Sequence, residues 1–225
     1  MMRPDSGVLE PAAVPERLVD QAYRRLRDAI VSVQLQPGAP LDERGLSSSL
    51  GLGLTPVRDA LKRLTLERLA VTYPRRGTFV TEINIADETL LTEVRVELEG
   101  LAATLAAERA TPAESAAMER MLINLERPGT SVAEHVALDA RVHRAIYSAA
   151  RNPFLQTALN QYANLAMRIW NFGLEGQRET VEHACSQRAV VEAIVDGDPF
   201  RARMAAQDHL RGFSDEMRSM VAGPR

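Results

Sequence analysis

From residue 87 to residue 221 the chain repeats one piece of punctuation, a capping residue followed by proline, and no other feature of the sequence constrains the fold as much. Thr111-Pro112 with Glu114 supplies a cap, a proline at the first helical position and a glutamate three residues after the cap. Asn152-Pro153 and Asp198-Pro199 repeat the device, and Ser131 with Glu134 has capping-box spacing. Proline is tolerated there because the N–H it lacks would have no helical partner. These signals predict helices over 87–109, 112–126, 132–150, 153–172, 179–196 and 199–220. Little strand signal remains. About six helices joined by short loops pack most simply as an antiparallel bundle.

The first third reads differently. Residues 1–15 carry three prolines and no period, which predicts a mobile tail. Glu16 to Val33 puts Leu18, Ala22, Leu26, Ala29, Ile30 and Val33 on one helical stripe, stopped by Pro37-Gly38. Asp42 caps a short helix that ends at Gly51, with Leu46 and Leu50 facing inward. Thr55 reads as the next N-cap, with Pro56 at the first helical position. Val57, Leu61, Leu64 and Leu69 then face a core, while Arg58 and Lys62 lie away from it. Val71–Tyr73, a turn over Pro74–Gly77 and Thr78–Thr81 predict a β-hairpin. Two helices joined by a tight turn and followed by a hairpin are the order of a winged helix-turn-helix. The expected fold is therefore mainly α. A tail (1–15) precedes a winged helix-turn-helix (16–82), a linker (83–86) and an all-helical bundle (87–221).

Charge divides along the same line. The net charge is −3, yet residues 17–77 hold 11 basic against 6 acidic residues and residues 78–225 hold 15 against 21. A cationic front beside an acidic remainder points to a polyanion bound by the front alone. A helix fits the DNA major groove, and residues near its start reach base edges; Arg58 sits in that first turn. The turn with Arg75, Arg76 and Gly77 suits a minor groove or a row of phosphates. A winged helix can also serve protein contacts, but this charge favours DNA.

Other classes are excluded. No apolar run approaches the roughly 20 residues that cross a bilayer, and the N-terminus lacks the apolar segment of a signal peptide. The single Cys185 cannot form an internal disulfide, which fits a cytoplasmic location. There is no nucleophile–base pairing, glycine-rich phosphate loop or H-E-x-x-H spacing, so the chain does not read as an enzyme.

In the bundle, Asp139 and His143 are four apart and share a helix face. A carboxylate and an imidazole so placed can chelate one metal ion, and His209 could supply a third ligand. The same spacing serves equally as a structural hydrogen-bond pair. Arg95 has Glu99 one turn on, the spacing of a salt bridge. Asn164, Arg168 and Trp170 share the fourth helix of the bundle and are candidates to line its interior.

Several stretches carry a family resemblance. "LQPGAPLDERGLSSSLGL", "LTPVRDALKRL" and "PRRGTFV" resemble the DNA-binding domain of GntR-family transcription regulators. "EVRVELEGLAATLAA", "LDARVHRAIYSAARNPFL" and "RAVVEAIVDGDPFRARMAAQDHL" resemble the helical FCD-type effector domain of the FadR subgroup. The resemblance implies a homodimeric repressor or activator on double-stranded operator DNA, contacted by Arg44, Thr55, Arg58, Arg76 and Gly77. It implies a divalent metal, zinc or nickel, on Asp139, His143 and His209, with Arg95 binding a small carboxylate effector. Two departures matter. Gly53 and Leu54 stand where the family has a hydroxyl residue and an arginine, so base reading shifts toward Arg58 and the wing. Gln187, 22 residues before His209, stands where the family has a histidine. A neutral carbonyl is the weaker ligand, and His183, one turn earlier, would sit about 6 Å along the axis. A regulator whose effector is the metal itself is the alternative reading, and a metal-dependent enzyme the least favoured.

Overall fold

The computed structural model describes residues 15–84, 86–125, 132–173 and 187–222. Among these residues the order is α1 (Leu18–Val31), α2 (Glu43–Leu50), α3 (Leu54–Leu66), β1 (Ala70–Tyr73) and β2 (Gly77–Val80). The chain continues with α4 (Asp87–Arg109), α5 (Pro112–Leu125), α6 (Val132–Ala149), α7 (Pro153–Gly173), α8 (Arg188–Val195) and α9 (Pro199–Ala222). The expected 1–15 tail falls almost wholly outside the described residues, as do His183, Cys185 and the start of the helix predicted from 179.

The front part packs α1 against α3 around Ala22, Leu26, Ile30, Val57, Leu64 and Val80, all essentially inaccessible. α1 stops at Val31, two residues before the predicted stripe ends, because Val33 turns into the left-handed region at φ 61°. At its other end Leu18 is 56% exposed, and Tyr23 takes the buried position instead. Asp42 caps α2 as predicted, its side chain accepting from the Gly45 N–H at 2.7 Å. Gly51 closes α2 at φ 67°, a conformation that an L side chain adopts only with strain.

Two predictions here are corrected. α3 begins at Leu54, with Gly53 rather than Thr55 at its cap and no side-chain capping bond. The tight turn at Gly51 brings the chain into helical geometry early, so Pro56 lies in the first turn, where its missing N–H still has no partner to lose. The wing also gains a third segment. β1 and β2 pair antiparallel, Ala70 opposite Val80 and Tyr73 opposite Gly77. Pro40 bridges to Phe79, and Leu41 N–H donates to the Thr78 carbonyl at 2.8 Å. The flanking prolines hid this segment, since proline breaks strand patterns everywhere but at a sheet edge.

The rear part is the predicted bundle. Three of its caps are formed: Thr111 and Glu114 bond reciprocally, and Asn152 and Asp198 accept from Leu155 and Arg201 N–H groups, while Ser131 of the fourth lies outside the described residues. α4 and α9 make the most extensive helix pair. Gly100 on α4 permits this approach, because a Cβ there would lie 3.2 Å from side-chain carbons of Arg203 and Gln207. Ala102, Ala103, Ala106, Val142, Leu159 and Val191 fill the interior.

A polar seam joins the two parts. Arg168 of α7 donates to the Thr81 hydroxyl at 2.6 Å and to the Thr81 carbonyl. Thr81 in turn donates to the Arg68 carbonyl at 2.9 Å, tying the wing base to the end of α3. Asn171 donates to the Val31 carbonyl at 2.8 Å, and Leu165 packs on the front core. Replacing Gly51 isolates backbone strain from packing, since no atom lies within 4 Å of the added carbon. Gly51→Ala is expected to cost about 1–2 kcal/mol in urea unfolding, and Gly51→Asn less, because asparagine tolerates the left-handed region.

Candidate nucleic-acid interface and effector cavity

Arg44, Thr55, Arg58, Arg76 and Gly77 are all exposed, the first three in the first turns of α2 and α3 and the last two at the hairpin. Gly77 has φ 97° and Arg75 φ 62°, so the three-residue connection depends on left-handed positions. The Arg76 guanidinium lies 5.6 Å from the Tyr73 ring centre, which holds it beside the wing. Arg58 is not a free cation. Its Nε and Nη2 donate to the Glu43 carboxylate, with Nη2 to Oε2 at 2.7 Å, and this fork fixes the guanidinium between α2 and α3. Glu43 is held below the usual carboxylate range by that bond. Sequence reading missed the pair because fifteen residues separate its members and no local period links them.

The second site lies inside the bundle. Arg95 of α4, Asp139 and His143 of α6 and His209 of α9 line one chamber with Tyr147 and Phe213. Glu99 organises its floor. One carboxylate oxygen accepts from Arg95 Nε and Nη2, at 2.9 and 2.7 Å. The other lies 2.8 Å from His143 Nδ1. Both Arg95 and Glu99 are buried, at 5% and 4% exposure, so this ion pair is dry. The Tyr147 hydroxyl lies 3.3 Å from His143 Nδ1. Burial, and then the Glu99 charge, keep that phenol protonated well above its ordinary value.

With Nδ1 on Glu99, His143 turns Nε2 toward Asp139 Oδ2, 3.6 Å away. One ligand atom each from Asp139, His143 and His209 lie within 4.8 Å of one another. Burial, and then the neighbouring His143, push His209 down to about 4, so its imidazole is neutral and able to ligate near neutral pH. Burial alone would lower His143, but the Glu99 and Asp139 carboxylates outweigh it and raise its value. Gln187 caps α8, fully buried, and its amide nitrogen donates to Asp139 Oδ1 at 2.7 Å. In that arrangement Gln187 meets the cluster through its donor side rather than its carbonyl.

Of the three α7 candidates, Asn164 lines the chamber, Arg168 serves the seam, and Trp170 stacks on Phe213 at 4.7 Å between centroids. Sequence reading weighed Glu99 only as a partner of Arg95 and overlooked Tyr147, although each stands four residues from Arg95 or His143 and shares its face. The space open to the centre of a water molecule is about 40 Å³. At roughly 10–15 Å³ per water that admits an ion with two or three waters, or one carboxylate group.

Glu99→Gln leaves the buried Arg95 without its anion and is expected to cost about 3–5 kcal/mol in chemical denaturation. The Arg95 and His143 cations outweigh the effect of burial and hold Glu99 well below its ordinary 4.5. A depressed carboxylate contributes its stability above the unfolded value and loses it as pH falls. The wild-type midpoint should therefore drop as pH is lowered below about 4.5, and more steeply than that of Glu99→Gln.

Comparison with known proteins accords with this geometry. Residues 18–80 match the family of bacterial regulatory proteins, gntR family, and residues 90–212 match the FCD domain. An HTH-type transcriptional regulator in an unstable DNA locus of Streptomyces ambofaciens is 30% identical over 203 residues, 89% of this chain and 85% of its own. The Nta operon transcriptional regulator of Aminobacter aminovorans is 32% identical over 195 residues, 86% and 91% of the two chains. The structure of Escherichia coli McbR/YncC superposes with a TM-score of 0.80 at 22% identity, covering 91% of this chain and 98% of that one.

Proposed function

The chain belongs to the gntR family of bacterial regulatory proteins and carries an FCD effector domain, and on that premise we propose how its residues divide the work of a ligand-responsive regulator. DNA binding, effector binding and the regulator class itself follow from the family, whose named relatives are transcriptional regulators and not enzymes. The finer assignments are ours. A homodimer sets two α3 helices on a near-palindromic operator, each protomer reading one half-site. Arg58 reads base edges and Thr55 supports it at the start of the helix. Arg44, Arg76 and the Gly77 backbone hold phosphates or the minor groove. Their common exposure on a cationic part of the chain supports this.

In the FCD part the observation that carries the reading is the cluster itself. Asp139, His143 and His209 come from two helices, converge within 4.8 Å and meet a chamber whose wall includes Arg95. The residues fit a divalent cation, zinc or nickel. Two imidazoles and one carboxylate are a familiar donor set with positions left open, and Glu99 on His143 Nδ1 is the outer partner that fixes a metal-binding imidazole. A bound cation would supply a Lewis acid for a carboxylate oxygen. This chain's own part is to place that carboxylate under Arg95 and to exclude water. Gln187 belongs to the surround as a support for Asp139. His183 lies outside the described residues and is given no role. No helix of the described residues is long and apolar enough to cross a membrane.

A second reading has its own support. A chamber of about 40 Å³ accepts an ion and its waters without rearrangement, which favours the metal as the effector. The effector, whichever it is, must bind the DNA-competent and DNA-free conformations with different affinity.

Fluorescence anisotropy on duplexes from the region beside the chain's own gene tests the DNA assignments. Arg58→Ala is expected to lose about 1–3 kcal/mol and relax preference at one base pair per half-site, whereas Arg76→Ala should weaken all sequences alike and lower the salt slope by about one. Unchanged base preference in Arg58→Ala would remove that residue from the reading. Elemental analysis tests the cluster: one metal per chain is expected, lost in His209→Ala, with affinity falling about 10–100-fold in Glu99→Gln. A change in DNA affinity on adding metal alone selects the metal as effector; a requirement for added acid selects the carboxylate.

A further inference from the structure

Arg144 is the one exposed residue among those lining the chamber, so the mouth opens beside it. Asn160 and Asn164, one turn apart on α7, line the same mouth. Arg144, Asn160 and Asn164 make no hydrogen bond or ion pair to any described residue. The inner cation is committed by contrast: Arg95 already gives Nε and Nη2 to Glu99. The chamber admits one carboxylate and little more, so the body of any larger effector must extend through the mouth.

We propose that Arg144, with Asn160 and Asn164, forms an outer anion subsite, and that the effector is a short dianionic acid with one carboxylate in the chamber and the second held at its mouth. This rests on the carboxylate reading above and deepens it. A guanidinium with two open donor edges and two amide groups is the donor set that a carboxylate needs. The position adds a reason for coupling. Arg144 lies within electrostatic reach of the Arg27–Asp28 pair near the end of α1, so this side of the chamber faces the DNA-binding part. A ligand bound there lies against α7, the helix that also carries the seam residues Arg168 and Asn171.

Succinate and butyrate have equal chain length and differ by one terminal carboxylate, which makes them the probes. Isothermal titration of the full chain, as purified and after loading with zinc, is expected to show succinate binding about tenfold or more tighter than butyrate, the gain of a hydrogen-bonded charge. Arg144→Ala should abolish the preference for succinate over butyrate, and Arg144→Lys should restore part of it. Asn160→Ala and Asn164→Ala should each reduce it less. Arg144 is exposed, so its variants are expected to melt with the wild type, which the same samples check without ligand. Equal binding of the two acids by the wild type, or a preference retained in Arg144→Ala, overturns the outer subsite and leaves the carboxylate reading standing. Wild-type protein that binds neither acid, with or without zinc, overturns both.

Discussion

A buried carboxylate on α4 ties that helix to α6 and orients the cluster of the effector domain. Glu99 takes two hydrogen bonds from Arg95 on its own helix and lies 2.8 Å from His143 on α6. Placing charges in a dry interior is unfavourable unless each is paired and bonded. Here the arginine, the carboxylate and the imidazole satisfy one another, and Tyr147 stays protonated beside them. The consequence is orientation. With Nδ1 occupied, His143 has only Nε2 to present, and that atom faces Asp139 and His209. Asp139 is itself steadied by Gln187. The cluster is thus held by bonds that do not involve a ligand, which is what a preformed site requires.

α7 belongs to both halves of the molecule. Asn160, Asn164 and Met167 line the chamber, while Leu165, Arg168 and Asn171 reach the winged part. One rigid helix therefore meets the chamber and the base of the wing on neighbouring faces. Phe213 extends the link, since it lines the chamber and stacks on Trp170. A ligand larger than the chamber must displace side chains or extend through the mouth. A packed interior responds to such displacement by shifting elements rather than deforming evenly.

The winged part shows how a cationic surface is kept selective. Glu43 clamps Arg58 from the start of α2, so its guanidinium is held in a restrained pose. The clamp also keeps one negative charge beside a surface that phosphates approach. Leu54, 41% exposed at the start of α3, adds an apolar side chain to the same surface.

What the sequence determined by itself was local. Caps, prolines and glycines sit within four residues of the groups they satisfy, so the bundle helices, the Asp42 cap, the Gly51 stop and the hairpin could all be read from spacing. The pairs Asp139–His143 and Arg95–Glu99 were legible for the same reason, being one turn apart on one face. Where two local signals competed, at Thr55-Pro56, the tight turn before them decided, and the helix began two residues earlier than the cap suggested. Only the tertiary structure brought together groups with no shared period: Glu43 with Arg58, Glu99 with His143, Gln187 with Asp139 and Arg168 with Thr81. Chamber size was likewise beyond reach of spacing, because it is the volume left when four helices have packed, and packing depends on every side chain at once.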